Sequence, residues 1–368
     1  ITLANKALAD LDVNSKVFIS GDVTIDTDNA THDGLVDFAS TIDGVNGGDD
    51  DDLVILAGDT AQGGILTLGG AIGSTQGLTT LNINATDGDI SFTVPQVGDG
   101  AGGDAGVSGA TAFGNSGSGD IIFSAGTANA YKFGGSLTVT SDGGAGAFQF
   151  TGSDPTVTAG GAVAFNEGSG TDDTMVLADL KDLTIDTSAA NANVTLPNID
   201  GTAGDGDDQT DFTVDAGSGT VDVQSIDTDI NDIIITGSTI TLNGDITTAA
   251  GTGGGADAAS IDLNGAVVIA GGTRTLTSGN GTIDFSSTVN SEASQTRALE
   301  LASGSGAVAI NGTVGAGTNG TLGNLTINSA GTGNITLSTV GADAAAGAAV
   351  IAVGNTSTGT LTLSGVDY

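Results

Sequence analysis

The chain has 368 residues, with 63 Gly, 3 Pro and no Cys or Trp, and its 44 acidic and 6 basic side chains give a formal net charge of −38. That balance excludes nucleic acid and disfavours anionic membrane surfaces, because Lys6, Lys16, Lys132, Lys181, Arg274 and Arg297 are too scattered to neutralise a row of phosphates. No disulfide framework is possible, and an apolar fraction of 38%, mostly Ala, Val, Ile and Leu, excludes wholesale disorder and predicts thin aliphatic core layers.

Residues 1–20 (ITLANKALADLDVNSKVFIS) contain the only passage with helical character, yet Val17, Ile19, Val23 and Ile25 alternate as a strand does. They are expected to form a lead-in strand that can be exchanged with a neighbour. Residues 21–368 are expected to form one strand-repeat domain. Its first part, 21–93, carries strands such as LVILAG and LTTLNIN with aliphatic residues at every second position. Residues 95–119 (PQVGDGAGGDAGVSGATAFGNSGSG) are too glycine-rich to sustain a strand and are expected to leave the domain as an excursion loop. Strands resume at DIIFSA, SLTVTS, AFQFTG and AVAFN, where Phe113, Phe123, Phe133, Phe148, Phe150 and Phe165, with Phe92 just before, gather seven of the eleven Phe. They are expected to stack along successive rungs as a core ladder, with a ligand-stacking platform as the alternative. DLTIDT, NVTLPN, DFTVDA, TVDVQS, DIIITG, TITLNG and SIDLNG continue the theme to the tail, AAVIAVG and GTLTLSGVDY.

The stretch 272–338 repeats 21–93. GTIDFSSTVN, RALELASGSGAVAINGTVG and LGNLTINSAGTGNITLS answer GLVDFASTIDG, LVILAGDTAQGGILTLGGAIG and LTTLNINATDGDISFT. Phe38 aligns with Phe285, Leu56 with Leu301, Ile72 with Val314 and Leu81 with Leu325, at offsets between 242 and 247 residues. Short alternating segments that keep register while turns vary are the mark of a solenoid. The expected fold is therefore all-β, an elongated, right-handed, parallel β-helix-like solenoid; β-sandwich repeats are the alternative.

At these residues the chain resembles the β-strand-repeat stretches of filamentous-haemagglutinin-like and autotransporter-passenger surface proteins of bacteria. The carrying pattern is G-x-ϕ-x-F-x-x-x-ϕ, then L-x-ϕ-x-A-G-x-G-x-ϕ-x-ϕ-x-G-x-ϕ-G and L-x-x-L-x-ϕ-x-x-x-G, where ϕ is aliphatic. It covers the two copies well and residues 94–271 loosely. The resemblance implies an extracellular place and a solenoid shape, among adhesins, sheath components and lattice proteins; it supplies no ligand. The chain starts at Ile1 without the charged and apolar regions of a signal peptide, so a mature or trimmed product is expected. The longest small-apolar run, 344–353, is interrupted by Gly347 and falls short of the roughly 20 residues of a spanning helix, so no membrane insertion is expected.

Catalytic signals are weak. Gly98, Gly100 and Gly103 fit G-x-G-x-x-G, but no helix follows and Asp99 and Asp104 would repel phosphate. His32 is the sole histidine and has no nucleophile motif with it, which also leaves no zinc set. A polysaccharide-cleaving β-helix enzyme is the minor alternative; it needs two carboxylates across a sugar cleft, and nothing selects a pair among 44 acids. The strongest site-like features are the clusters Asp49, Asp50, Asp51, Asp52 and Asp205, Asp207, Asp208, Asp211, whose Gly-rich surroundings (GGDDDDLVI, GTAGDGDDQTD) could offer calcium carboxylates and carbonyls. Solvated acidic turns are the alternative reading. Nine N-x-[ST] sequons occur, as turns rich in Asn and Thr generate by chance, and the irregular spacing of T-x-T pairs such as Thr138/Thr140 implies no flat threonine array.

The function expected is that of a non-enzymatic extracellular subunit that self-assembles through its β-edges into a filament, sheath or surface lattice; an adhesin stalk is the alternative. The assembly residues expected are Lys6, Lys16, Val17 and Ile19 at one end and Leu361, Leu363 and Tyr368 at the other. Partners expected are other copies of the chain and, secondarily, cell-surface polysaccharide.

Overall fold

The computed structural model describes residues 10–27, 34–45, 51–57, 65–85, 88–93, 97–98, 106–115, 117–124, 130–141, 146–167, 174–202, 210–227, 229–249, 259–315, 320–329, 332–341, 347–354 and 359–365. Two compact units divide the chain, Ile1–Pro197 and Asn198–Tyr368. Each is a stack of parallel coils, with three strands or single bridges per coil and no helix among the described residues. The β-sandwich alternative falls, because the ladders within each unit are parallel and every strand pairs with the strand one coil away.

In the first unit one side runs through Leu11–Val13, Val36–Phe38, Leu66–Leu68, Ile90–Phe92, Ile121–Phe123, Phe148–Phe150 and Thr174–Leu177. A second side begins with Val17–Ile19 on Ile42–Gly44 and continues through the single residues Ile72 and Val97 to Ala130–Phe133, Thr156–Ala159 and Leu183–Asp186. The third carries the longer strands Val23–Asp26, Asp52–Ala57, Thr80–Ala85, Thr111–Asn115, Leu137–Ser141 and Val163–Glu167, ending at Val194–Thr195. Phe148 sits between Ile121 and Met175, each 27 residues away, so one coil of chain separates neighbours in a ladder.

The second unit repeats the plan. One side joins Phe212–Asp215, the first part of Ile233–Leu242, the first part of Ala259–Ile269, Asn280–Phe285, Val308–Ile310, Ile335–Leu337 and Leu361–Leu363. Another joins Thr220–Val223, the later parts of the same two long strands, Val289–Ser291, Val314 and Val340. The last passes from Ile199 and Ile226 through Ile246–Thr247, Arg274–Thr277, Leu299–Gly304 and Leu322–Ser329 to Ala348–Val353.

Alternation explains the strands: the sequence period of two puts one set of side chains inside. Leu53, Ile55, Leu81, Ile83, Ile261 and Leu263 are buried, while Val54, Asn82 and Asp262 face outward. The internal repeat is preserved as an order of elements. Val36–Phe38, the bridge position Ile42 and Asp52–Ala57 in the first unit match Asn280–Phe285, Val289 and Leu299–Gly304 in the second. One expected equivalence is corrected. Leu301 is buried but Leu56 is half-exposed, and Ile55 holds the inward place; a shift of one residue turns a strand's side chains to the other face.

Glycine sets the corners. Ile72 and Val314 are buried single-residue bridges, each followed by a glycine with positive φ, Gly73 (+64°) and Gly315 (+67°), whose missing Cβ would meet the backbone of Gly106 and Gly347 one coil on. At a different corner of the second unit, Gly281, Gly306, Gly333 and Gly359 lie in a column so tight that a Cβ on each of the last three would strike the carbonyl of the glycine before it. Buried hydroxyls serve those carbonyls: Ser278 Oγ donates to Gly281 O (2.7 Å) and Ser303 Oγ to Gly306 O (2.8 Å). In the first unit, the Thr111 hydroxyl is buried without a partner between Leu81 and Leu137.

The Phe ladder is core. Phe92, Phe113, Phe123, Phe133, Phe148, Phe150 and Phe165, with Tyr131, are at most 2% exposed, which removes the ligand-platform alternative. Phe92, Phe123 and Phe150 stack in register, with ring centroids 5.1 and 4.7 Å apart and planes within 9° of parallel. The expected excursion at 95–119 is narrower than the sequence suggested. Val97 bridges Ile72 and Tyr131, Val107 bridges Leu78 and Phe133, and Thr111–Asn115 is a full strand of the ladder. Residues 99–105 lie outside the described residues.

Candidate functional site

Many acidic side chains work at the corners of the coils. An Asp or Asn stands just before the first inward residue of a strand, and its side-chain oxygen accepts the backbone N–H at the same place one coil later. Asp10 accepts from Leu35 (2.9 Å), Asp89 from Asp120 (2.9 Å) and Asp120 from Ala147 (2.8 Å). In the second unit Asp211 accepts from Asp232 (3.1 Å), Asp232 from Ser260 (2.7 Å), Asp245 from Thr275 (2.9 Å) and Asn334 from Thr360 (2.9 Å). Each satisfies an N–H at the point where the chain turns out of its ladder, which a charged acceptor does more strongly than a neutral one. The signal is in the sequence, as the recurring D-ϕ-x-ϕ of DIIFSA, DFTVDA and DIIITG, in which the acid precedes the alternating strand residues.

The acids proposed for calcium fall into this structural use where they can be seen. Asp51 is buried, its Oδ1 accepting from Gly21 N (3.0 Å) and its Oδ2 from Val45 N (2.8 Å). Asp52 Oδ1 accepts from Thr80 Oγ1 (2.7 Å), and Asp211 holds the corner described above. Asp49, Asp50, Asp205, Asp207 and Asp208 lie outside the described residues, as does His32. Among the described residues no three His, Cys, Asp or Glu side chains come together as a metal set. Gly98, the first glycine of the G-x-G-x-x-G match, is a corner glycine following the bridge residue Val97.

Among the described residues, Asp120, Asp200 and Asp262 have carboxyls pushed above the ordinary 3.8. Burial is the first cause for Asp120, opposed by the Ala147 N–H and assisted by Asp89. Burial also leads for Asp200, beside Asp227 and Asp229, and for Asp262, beside Asp284 and Asp232. Cleaving a glycosidic bond requires carboxyls facing each other across a cleft. Asp262 and Asp284 are instead register neighbours in one ladder.

The cations expected to meet a partner divide. Lys16 is exposed, and Lys6 lies outside the described residues. Val17 and Ile19 are committed to their own coil, in register with Ile42 and Gly44, so lending that strand away would break a formed ladder. The described part of the lead-in expected at 1–20, residues 10–20, therefore lies within the coils of its own chain, with an outer edge to offer a neighbour. The other end is more open. Ile351, Leu361 and Leu363 continue the inward columns of Leu325, Ile335 and Leu337, which are at most 2% exposed, yet they are themselves 38%, 49% and 52% exposed. Val350, on the outward face of the same coil, adds to the apolar surface there, and Tyr368 lies outside the described residues. No helix among the described residues is long and apolar enough to cross a membrane.

No protein-family model, curated protein or solved structure matches the chain. The geometry itself defines the class, a parallel β-solenoid built of repeated three-sided coils.

Proposed function

We propose that this chain is a non-enzymatic extracellular structural subunit that self-assembles through its β-edges, of the kind its likeness to filamentous-haemagglutinin-like and autotransporter-passenger proteins implies. One observation carries the reading: the inward columns run on into the coil of Ala348–Val353 and Leu361–Leu363, where their aliphatic side chains stand in solvent. A further parallel coil laid on those strands would pair their outer backbone groups and bury Ile351, Leu361 and Leu363. The partner in this reading is a second copy of the chain. Cell-surface polysaccharide is the second partner in this reading. Calcium, placed at Asp49–Asp52 and Asp205–Asp211, belongs to the same proposal as the counter-ion of a chain with a net charge of −38.

The same exposed columns favour a second reading, a stalk in which the next coil comes from the same polypeptide. Electron microscopy of the purified 368-residue chain, with and without calcium, separates the two. Self-assembly predicts concentration-dependent polymers that Leu361→Lys together with Leu363→Lys abolishes while the circular dichroism of the monomer is kept. Monodisperse particles under every condition would leave the stalk.

A further inference from the structure

One peptide bond combines chemical lability with backbone strain. Asp154–Pro155 is the only Asp-Pro pair among the three prolines. Asp154 is exposed and adopts φ +45°, a left-handed conformation that Asp visits more readily than most L-residues but that the following proline ring disfavours. Neighbouring chain holds it there. Asp154 Oδ1 accepts the N–H of Asp182 from the next coil (3.3 Å), and the carbonyl of Pro155 accepts the N–H of Thr184 (3.1 Å). Strain retained against the local preference is a pointer to function.

We propose that Asp154–Pro155 is a self-cleavage site of the folded chain, acting in mild acid. The carboxyl of Asp154 attacks the carbonyl carbon of its own residue, closing a five-membered cyclic anhydride. The C–N bond to Pro155 breaks, its electron pair stays on the prolyl nitrogen, and that nitrogen, more basic than an ordinary amide nitrogen, takes a proton from solvent. Water then adds to the anhydride and restores two carboxyls on Asp154, so the net change is the uptake of one water. Loss of the bond frees Asp154 from the left-handed conformation, which favours the broken state. The nick leaves the coil intact, because Phe148–Phe150 stays paired with Ile121–Phe123 and Thr174–Leu177, and Thr156–Ala159 with Ala130–Phe133 and Leu183–Asp186. The products are residues 1–154 and 155–368, held together until denatured.

Intact-mass spectrometry of the full chain held near pH 4, with circular dichroism confirming the fold, tests this. The expected result is two fragments whose masses sum to the chain plus one water, formed about tenfold faster than from the same chain in urea at the same pH, as modest strain relief would give. Asp154→Asn should abolish the reaction and Pro155→Ala should slow it, while size-exclusion chromatography of the nicked parent shows one species. Cleavage no faster in the folded chain than in urea, or cleavage that survives Asp154→Asn, would overturn the proposal.

Discussion

The two units fill the same three-sided coil in different ways. Between Phe92 and Phe165 the first is filled by rings that reach across from different sides: Phe92 tilts against Phe113 at 4.8 Å, and Phe123 meets Tyr131 edge-on at 5.1 Å. Among the described residues of the second unit the buried apolar side chains are aliphatic except for Phe212 and Phe285, and contact follows the columns, as in Ile233, Ile261 and Ile283. A ring ties three ladders at one point, whereas an aliphatic column ties each coil to the next. The largest expected effect follows from that difference. Phe123→Ala should cost about 3–5 kcal/mol, with loss of hydrogen-exchange protection on all three sides around it. Ile261→Val in the second unit should cost only about 1 kcal/mol, with loss confined to its own ladder. Exchange mapped residue by residue is the suitable measurement, because repeat arrays depart from two-state unfolding. Equal, local losses in both variants would erase the contrast.

Glycines sharpen the comparison at a smaller scale. Gly306 sits in a column where a Cβ would collide with Gly281, so Gly306→Ala must move backbone and should cost about 1–3 kcal/mol. Gly21 in the first unit has φ +78° but open space around the missing Cβ, so Gly21→Ala should cost only the conformational part, about 1 kcal/mol. Thermal melting of the two variants should rank them in that order, and a reversed order would mean that the column relaxes at little cost.

How much of this was legible can be traced through particular residues. Alternation and the repeat gave the solenoid, and the ϕ-G pairs Ile72-Gly73 and Val314-Gly315 were inside the quoted pattern, although their role as corners needed φ and the neighbouring coil. Leu56 aligns with Leu301 in sequence because LVILAG offers four adjacent aliphatics, Leu53 to Leu56, and composition alone does not say which of two alternating sets points inward. Val97 and Val107 were hidden among glycines because a single bridge residue has no period of its own. Clustered acids stand out in a sequence, whereas solitary acids do not. Asp89, Asp120 and Asp245 act one at a time, and their partners are backbone groups a whole coil away, which no local window contains.

The smallest effect concerns charge, and there the two units should differ in degree. Asp120 in the first unit and Asp200 and Asp262 in the second have carboxyls raised from 3.8, burial being the largest cause in each. Between 3.8 and the raised value the folded chain binds more protons than the unfolded one. Stability contributed by these groups is therefore fully present below 3.8 and lost as pH rises through the folded value. Melting at low salt should show a chain more stable near pH 4 than at pH 7. Asp262 has Asp284 beside it in register and Asp232 at the corner, so Asp262→Asn removes a half-buried charge from a like-charged group. The variant should gain about 0.5 kcal/mol at neutral pH, the scale of a cross-strand like-charge pair, and the gain should vanish on acidification. Asp120 differs in that the Ala147 N–H and the Gln149 amide (2.6 Å) both donate to its carboxylate. Asp120→Asn should therefore gain less than Asp262→Asn at neutral pH, since the weaker acceptor offsets part of the relief from burial and from Asp89. Equal responses from the two variants would mean that net charge, and not the local stacking of carboxyls, sets the pH dependence.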